Sequence, residues 1–590
     1  MHRRDISKAL FASAAGATVI SQRAQSQTCT APCYPRTPEE IAAGVTPVNL
    51  SYAPGHLYRF GTNTSPGTTD MTAAATVWAS VGGELSLPVP DTVLVKRSIP
   101  LVSNSTITLH PRATILTDVP DTSILLAISK TNILIEGGKL QQKAGSAGVN
   151  AHFGLVRLDT CTYCTVQNVE CIGAQWAGIS LEHSDNCLIQ GNYIHDTQGT
   201  GSSTDIADIS LYNGCSWNVI ANNRCYGGLR AEHGILMLNT DTTLQTRNTV
   251  YGNRIGEHSA YGIIHYLIHH ANTYCTIENN LVENITGTDS AGNTGCGIYN
   301  QGAGGTLIAN NTIRNCCIST TATSLTPAGI GVNLEAGFET VNVIGNAIYD
   351  MAQFYGIEVV VGPCNITGNT VHFSAGSQAN IGIYVNSASN VNVTGNHVTI
   401  DTGIANGHGI FVFANSVSLA NILIGNNYIR GCSARQIRVD TTGSPMTSNV
   451  VINGNNMTGG GASCVCMQLG NVVLGAVTGN VAIAGASYAL TVQGCAQTRY
   501  ANNIFTSAGA TAVNASGACT GNYFDKSNYL TGQLQNAATG MICEQLASAI
   551  PGGGSISAVG DRIEQSLPVV GQPKGWRCTA PNTWVSEGNL

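Results

Sequence analysis

Charge is scarce in this chain. Only 10% of its 590 residues are Asp, Glu, Lys or Arg, fewer than the exposed faces of a helical protein demand, which excludes a helix-rich architecture. The acids outnumber the bases, for a formal net charge of −7, so a nucleic-acid role has no electrostatic support and no such partner is expected. No apolar run is long enough for a membrane span. Aromatic residues are few, at 6%, so an extended row of sugar-stacking platforms is not obvious. Metal-ligand spacing is thin as well. Cys161 and Cys164 form a CxxC, but no second CxxC or HxxxH stands at zinc spacing.

Glycine is abundant, with 68 residues, and Asn recurs throughout. Both tolerate positive φ, which suits short strands joined by tight turns. The N-terminus carries Arg3 and Arg4 ahead of a weakly apolar stretch from Ala9 to Ile20. This is an export pattern, similar to a bacterial twin-arginine leader, so residues 1–26 are set aside and a periplasmic or extracellular location is expected. In an exported protein the 20 cysteines permit disulfides. Cys29 and Cys33 flank a short Pro-containing turn that a disulfide would close. Most other cysteines stand singly inside apolar strands and are expected to be small buried hydrophobes.

One short pattern decides the architecture. Gly or Asn, then Asn, then an apolar-alternating strand recurs at Asn192, Asn223, Asn253, Asn280, Asn311, Asn346, Asn369, Asn396, Asn427, Asn456, Asn480, Asn503 and Asn522. The mean spacing is about 27.5 residues, the period of a solenoid. Each period holds three short β-type runs, as in "VNVTGN", "NHVTI" and "HGIFVF". Three strands per coil without helical periodicity predict an all-β parallel β-helix over residues 69–525. A leucine-rich horseshoe would need its Leu consensus, and a propeller four strands and a longer period. The recurring Asn suits a bend between strands, and stacked amides can bond from coil to coil.

A rod of this kind needs covers at both ends. "TDMTAAATVWA" (69–79) predicts a short N-terminal capping helix behind Thr69 and Asp70. Residues 27–68 form an N-terminal extension. Residues 526–555 read as C-terminal cap and linker, with a short helix expected in "EQLASAI" from Glu544 to Ile550. Residues 556–590 read as a small separate β module.

The block "RFGTNTSPGTTDMTAAATVWASVGGELSLPVPDTVLV", taken with the repeats, resembles the start of the pectate lyase-like superfamily, with Thr69-Asp70 where that family has an Asp pair. The resemblance implies a right-handed parallel β-helix and, for most members, action on polysaccharides, often those containing uronic acids. It also implies that reactive groups stand in the row just before the Gly of each Gly-Ile strand, here occupied by His233, Tyr261 and His408 among others. "EHGI" and "GHGI" resemble the His-Gly strand start of polygalacturonases, but that family's Asp-Asp and Asn-Thr-Asp segments are absent. The tail is similar to terminal modules of tailspike-like proteins.

Polar side chains crowd three successive coils: Asp205 and Asp208; Arg230, Glu232 and His233; then His258, Tyr261, His265 and Tyr266. Coils about 4.8 Å apart let such groups share one site. Two reactions suit them. In β-elimination His233 or Tyr261 serves as base or acid and Arg230 neutralises a uronate carboxylate. In hydrolysis Glu232 pairs with Asp205 or Asp208. His258, His265, Tyr266, Tyr299, Glu358 and His408 are candidate substrate contacts. No cofactor is required by the sequence, although Asp205, Asp208 and Glu232 are compatible with calcium. The expectation is an exported polysaccharide-degrading enzyme, a lyase ahead of a hydrolase, monomeric or trimeric. The competing expectations are a non-catalytic carbohydrate-binding surface protein and a prophage tailspike depolymerase.

Overall fold

Apolar side chains that recur three times per period must point to one interior, and the backbone obliges. The computed structural model describes residues 33–143, 153–199, 205–228, 231–286, 295–318, 328–415, 417–442, 446–547, 557–567 and 569–589. The chain is 55% strand and winds into a β-solenoid of about 15 turns. A first sheet stacks strands such as Ala177–Glu182, Ala207–Tyr212, His233–Asn239 and Tyr261–Asn272. A second stacks Leu188–Gln190, Val219–Ala221 and Thr249–Tyr251. A third stacks Tyr193–His195, Arg224–Tyr226 and Arg254–Gly256.

Pairing within these stacks is parallel and keeps the inward rows in register, with local shifts after Tyr266 and at Phe354. Ile179, Ile209, Ile235, Ile263, Ile298 and Ile330 follow one another up the first sheet. Ile189, Ile220 and Val250 do so in the second, and Ile194, Cys225 and Ile255 in the third. All of these are fully buried. Each large aliphatic contributes about 1.5–3 kcal/mol by leaving water.

The recurring Gly/Asn-Asn pair divides two tasks. Its first residue bends the chain in the left-handed region, with φ of 65° at Gly191, 55° at Asn222 and 65° at Gly252. Gly and Asn are the residues that accept this conformation at least cost. Its second residue is an inward Asn. Asn253 Nδ2 donates to Asn280 Oδ1 at 2.9 Å and to the Ile220 carbonyl at 2.8 Å, and its backbone N–H donates to the same Asn280 Oδ1. The pattern repeats coil after coil from Asn192 to Asn528. Two positions differ from the sequence expectation. The ladder passes through Asn455 rather than Asn456, which is the exposed first residue of the next strand. It ends on Asn528, whereas Asn522 accepts the Thr498 N–H in a different row. Adjacent Asn residues look alike in sequence, and only coil register separates inward from outward.

The N-terminal cap is the helix Thr72–Val81. Asp70 Oδ1 accepts from the Thr72 N–H at 2.9 Å. Ala74, Ala75, Trp78 and Ala79 are buried against the first coils, and Trp78 Nε1 donates to the Gly55 carbonyl at 2.7 Å. The other end differs from expectation. Residues Thr539–Ala547 form a strand where a helix was expected from Glu544. Pairing with Ala518–Phe524 on one side and Arg562–Gln565 on the other outweighs the helix propensity of Glu-Gln-Leu-Ala. The tail is therefore joined to the last coil. Arg562–Gln565 continues that sheet, and Gly575–Ala580 and Thr583–Ser586 follow as antiparallel strands. Residues 1–26, expected as leader, and residues 548–555, the last part of the expected cap and linker, lie outside the described residues.

The cysteines behave as expected of buried hydrophobes. Eighteen in the described residues are free and buried, while Cys33 is disulfide-bonded.

The ladder makes a direct prediction. Asn311→Ala strands the buried Ile277 carbonyl and Asn280 N–H of the preceding coil and should destabilise the protein by about 3 kcal/mol. Asn392→Ala, within a strand, breaks only an exposed Asn–Asn contact and should cost about 0.5 kcal/mol or less. Urea unfolding of both variants checks the contrast; equal costs would remove the ladder from its structural role.

Candidate functional site

The first sheet begins each strand at a tight corner. Gly178, Gly234 and Gly262 point into the interior there, and a Cβ on Gly234 would collide with Ile255 Cγ2 and the Gly262 carbonyl. The residue before the Gly is therefore thrown onto the outer face. Register places Ala177, Ala207, His233 and Tyr261 in that row, with Ala328, Tyr355, Ile381, His408 and Arg435 further on.

Four of the residues singled out in sequence do meet. His233 Nε2 lies 3.9 Å from Asp205 Oδ1. Its ring is 5.4 Å from that of Tyr261. Glu232 Oε2 accepts from the Asp205 N–H at 2.6 Å and the Ile206 N–H at 3.4 Å. Asp205 keeps 44% of its side chain exposed, whereas Glu232 and His233 are buried. Burial, reinforced by His258, lowers the His233 pKa to about 3, so its imidazole is neutral. Arg230 lies outside the described residues.

Three candidates do not reach the surface. Asp208 occupies the position that Gly holds in other coils, so its carboxylate enters the interior. There Oδ2 meets His258 Nε2 at 3.1 Å, and Oδ1 accepts from the Thr197 hydroxyl at 2.6 Å. Asp208 and His258 are fully buried. Gly227 and Gly234 leave the space that the His258 ring fills. His265 follows Met237 in an inward row and is fully buried. Desolvation lowers its pKa to about 3 against a smaller opposing interaction with Asn300. These are internal polar groups, and none can touch a polymer on the outside. With Asp208 sealed and Glu232 bonded to backbone N–H groups, the suggested calcium set does not converge. Among the described residues no three His, Cys, Asp or Glu side chains stand close enough to hold a metal ion.

The remaining candidates share the outer face of the first sheet, where an aromatic row that composition did not make obvious is assembled. Tyr261 stacks on Tyr299 at 5.6 Å. Gly331 leaves room for the Tyr299 ring, since a Cβ would come within 2.8 Å of it. Beyond it, Tyr355 meets Tyr384 at 4.7 Å, Tyr384 meets Phe411 at 5.4 Å, and Phe411 meets His408 at 5.1 Å. Tyr266 is half-buried against the same cluster. Glu358 is buried in this row between Gly331 and Tyr384, and its charge helps raise the Tyr299, Tyr355 and Tyr384 pKa values, chiefly elevated by burial. The row was legible in "GIY" at Tyr299 and Tyr384 and "GIF" at Phe411, because the residue after the inward Ile must face out.

Two guanidinium groups, missed in sequence, end this row. Arg435 follows His408 in register, and its Nε donates to Gln468 Oε1. Arg438 lies over the Phe411 ring at 4.5 Å and pairs with Asp440 at 2.8 Å. Burial, then Arg438 and Arg435, lower the His408 pKa to about 4. The face from Tyr261 to Arg438 spans six coil steps, about 29 Å at about 4.8 Å each.

No family model matches the chain, and no curated protein matches it. Solved structures are similar in shape. The tailspike protein of E. coli bacteriophage HK620, solved in complex with a pentasaccharide, is 14% identical, over 78% of each chain, with a TM-score of 0.41. PfbA, a surface adhesin of Streptococcus pneumoniae, is 13% identical over 70% of this chain and 93% of its own, with a TM-score of 0.38. A mutant of the periplasmic alginate epimerase AlgG is 12% identical over 58% of this chain and 76% of its own, with a TM-score of 0.36. The parallel β-helix itself rests on the strand register above. At this level of likeness nothing about activity passes from these proteins to this chain. Among the described residues no helix is long and apolar enough to cross a membrane.

The buried histidines predict acid sensitivity. His233 and His265 titrate near 3 when folded and near 6.5 when unfolded. The unfolded chain therefore binds more protons between those values, and stability falls as pH drops from about 6.5 toward about 3. Thermal unfolding across that range should show the decline, and His265→Met, which copies Met237 of the preceding coil, should flatten it. An unchanged slope in that variant would exclude His265 as a source.

Proposed function

We propose that this is an exported enzyme that cleaves a uronic-acid-containing polysaccharide by β-elimination along the outer face of the first sheet. Export rests on the Arg3-Arg4 leader pattern. The observation that carries the reaction is the group at the end of the aromatic row: His408, Arg435 and Arg438 on consecutive coils, with Tyr384 beside Phe411.

Elimination needs a cation to neutralise the carboxylate, a base for the proton α to it, and an acid for the departing oxygen. Arg435 and Arg438 supply the cation. His408 is neutral above about pH 4 and takes the proton. The Tyr384 hydroxyl, kept protonated by burial, returns one to the leaving oxygen. The guanidinium charges also depress the His408 pKa, so a bound carboxylate cancels them and strengthens the base when substrate arrives. Hydrolysis is less well served on this face. Glu358 and Asp440 stand three coils apart, at least about 14 Å by coil spacing, beyond the about 5–9.5 Å of a glycosidase pair. The one observation that favours hydrolysis is the Asp205–Glu232–His233 group, where a half-exposed carboxylate adjoins a second one.

The test is a panel of acidic and neutral polysaccharides, followed by the ultraviolet absorbance of the unsaturated product alongside reducing ends. Elimination raises both, whereas hydrolysis raises reducing ends alone. Neither signal, with binding retained, would end the enzyme reading. His408→Ala should lower kcat/KM by about 100-fold or more, and Arg435→Ala by a similar factor. The acid limb of kcat/KM should fall near pH 4, with that of kcat displaced upward. Loss in His233→Ala and Tyr261→Phe, with His408→Ala fully active, would instead place the centre at the strand-start group.

A further inference from the structure

A different row runs along the corner where the first sheet passes into the second, beyond the strand ends opposite His233. Its residues all adopt left-handed backbone: Asn104, Asn132, Tyr163, Asn186, Trp217, Arg247 and Tyr274 have φ between 53° and 63°. They are equivalent from coil to coil. The N–H of Asn132 donates to the Thr162 carbonyl, that of Tyr163 to Asp185, that of Asn186 to Ser216 and that of Trp217 to Thr246. Asn is the undemanding choice for such a position. The row returns to Asn at 390, 421 and 449, where the side chains bond to one another along the rod.

At three alternate coils a large aromatic takes the place of Asn. Left-handed backbone is unfavourable for bulky residues, and burial gives no compensation here. Tyr163 is 63% exposed, Trp217 54% and Tyr274 43%. Arg247 stands between the last two, its guanidinium 4.7 Å from the Trp217 ring and 5.6 Å from the Tyr274 ring. The Tyr274 hydroxyl donates to Glu339 at 2.7 Å. At Gly305, the next position of the row, a Cβ would press on the Tyr274 ring, so its absence keeps that ring in place. Successive aromatics are two coils apart, about 10 Å. That is the length of two pyranose units in an extended chain, after which the same face of the sugar recurs. The row then leads into a cleft of about 540 Å³ lined by Phe338, Pro363, Ser389 and Asn390.

We infer that this corner is a second carbohydrate-binding site, separate from the first-sheet face, on which alternate sugar rings of an extended β-1,4-linked polysaccharide stack on Tyr163, Trp217 and Tyr274 and the chain continues into the cleft. The parts of these rings left uncovered offer apolar surface to the C–H groups of pyranoses, while Arg247, which lies over the Trp217 and Tyr274 rings, and Glu339 offer hydrogen bonds to hydroxyl groups between them. This site binds and holds; no bond of the polymer is broken on it. It stands whether or not the first-sheet face is catalytic.

The test replaces all three rings by the residue the row itself uses: Tyr163→Asn, Trp217→Asn and Tyr274→Asn in one chain. Asn relieves left-handed strain, so the melting temperature should not fall. Affinity electrophoresis through gels containing a soluble cellulose derivative, xylan or alginate reads the binding. The unaltered protein should be retarded by at least one of these, and the triple variant should bind that polymer about tenfold or more weakly. Cleavage of a short soluble oligosaccharide, where it occurs, should be unchanged. Equal mobility of the two proteins in every gel, whether both are retarded or neither, overturns the inference. Its failure would leave the first-sheet proposal untouched, because that proposal is read from products.

Discussion

Parallel pairing of each coil with the next is the constraint on which the rest of the structure depends. Because strands stack in register, a side chain that points inward in one coil points inward in the neighbouring coils, and a slip of one residue would expose the whole apolar set. The Asn ladder enforces that phase. Each Asn carboxamide oxygen accepts both the backbone N–H and the side-chain N–H of the preceding coil, as Asn280 does from Asn253. A coil out of phase would leave these groups buried without partners, at about 1–3 kcal/mol each. The apolar stacks supply the greater part of the stability, and the amides supply the register.

Phase-locked coils convert one-dimensional sequence into rows, and the rows have distinct uses. On the outer face of the first sheet, the residue after each inward Ile gives Tyr299, Glu358, Tyr384, Phe411 and Arg438, half-buried or buried beside one another. At the next corner, the left-handed residues give Tyr163, Trp217 and Tyr274, exposed and evenly spaced. A protein with only 6% aromatic residues thus assembles two aromatic rows, because repetition places few rings at equivalent positions. The exception to the repeat is equally informative. Asp208 stands where Gly should, and the coil accommodates its charge by bringing His258 from two coils away.

Sparse charge is used sparingly and in pairs. Arg59 and Glu40 are sealed together at 2.6 Å beneath the N-terminal extension, and Glu283 is held between Arg254 and Arg314. Titratable groups without a strong counter-charge are held neutral by burial, as with His233, His265 and His408. The interior therefore favours the uncharged imidazole, and the first-sheet face presents neutral His beside permanently charged Arg.

The repeat, the three strands per coil, the capping helix and the burial of the cysteines were determined by the sequence itself, because a period of apolar residues and turn residues admits one way of stacking. The short range of that logic also marks where it stops. Asn455 and Asn456 are indistinguishable as letters, and their opposite orientations come from the neighbouring coil. Glu-Gln-Leu-Ala near residue 544 carries helix propensity, but two flanking strands make it a third. Asp208, His258 and His265 look like site residues, since polarity in sequence does not say on which side of the sheet a side chain lies. Arg435 and Arg438, far along the chain from His233, enter the same face only after seven coil steps. The tertiary structure alone decided which polar groups are sealed and which rings align, because both depend on register between segments that no local pattern relates.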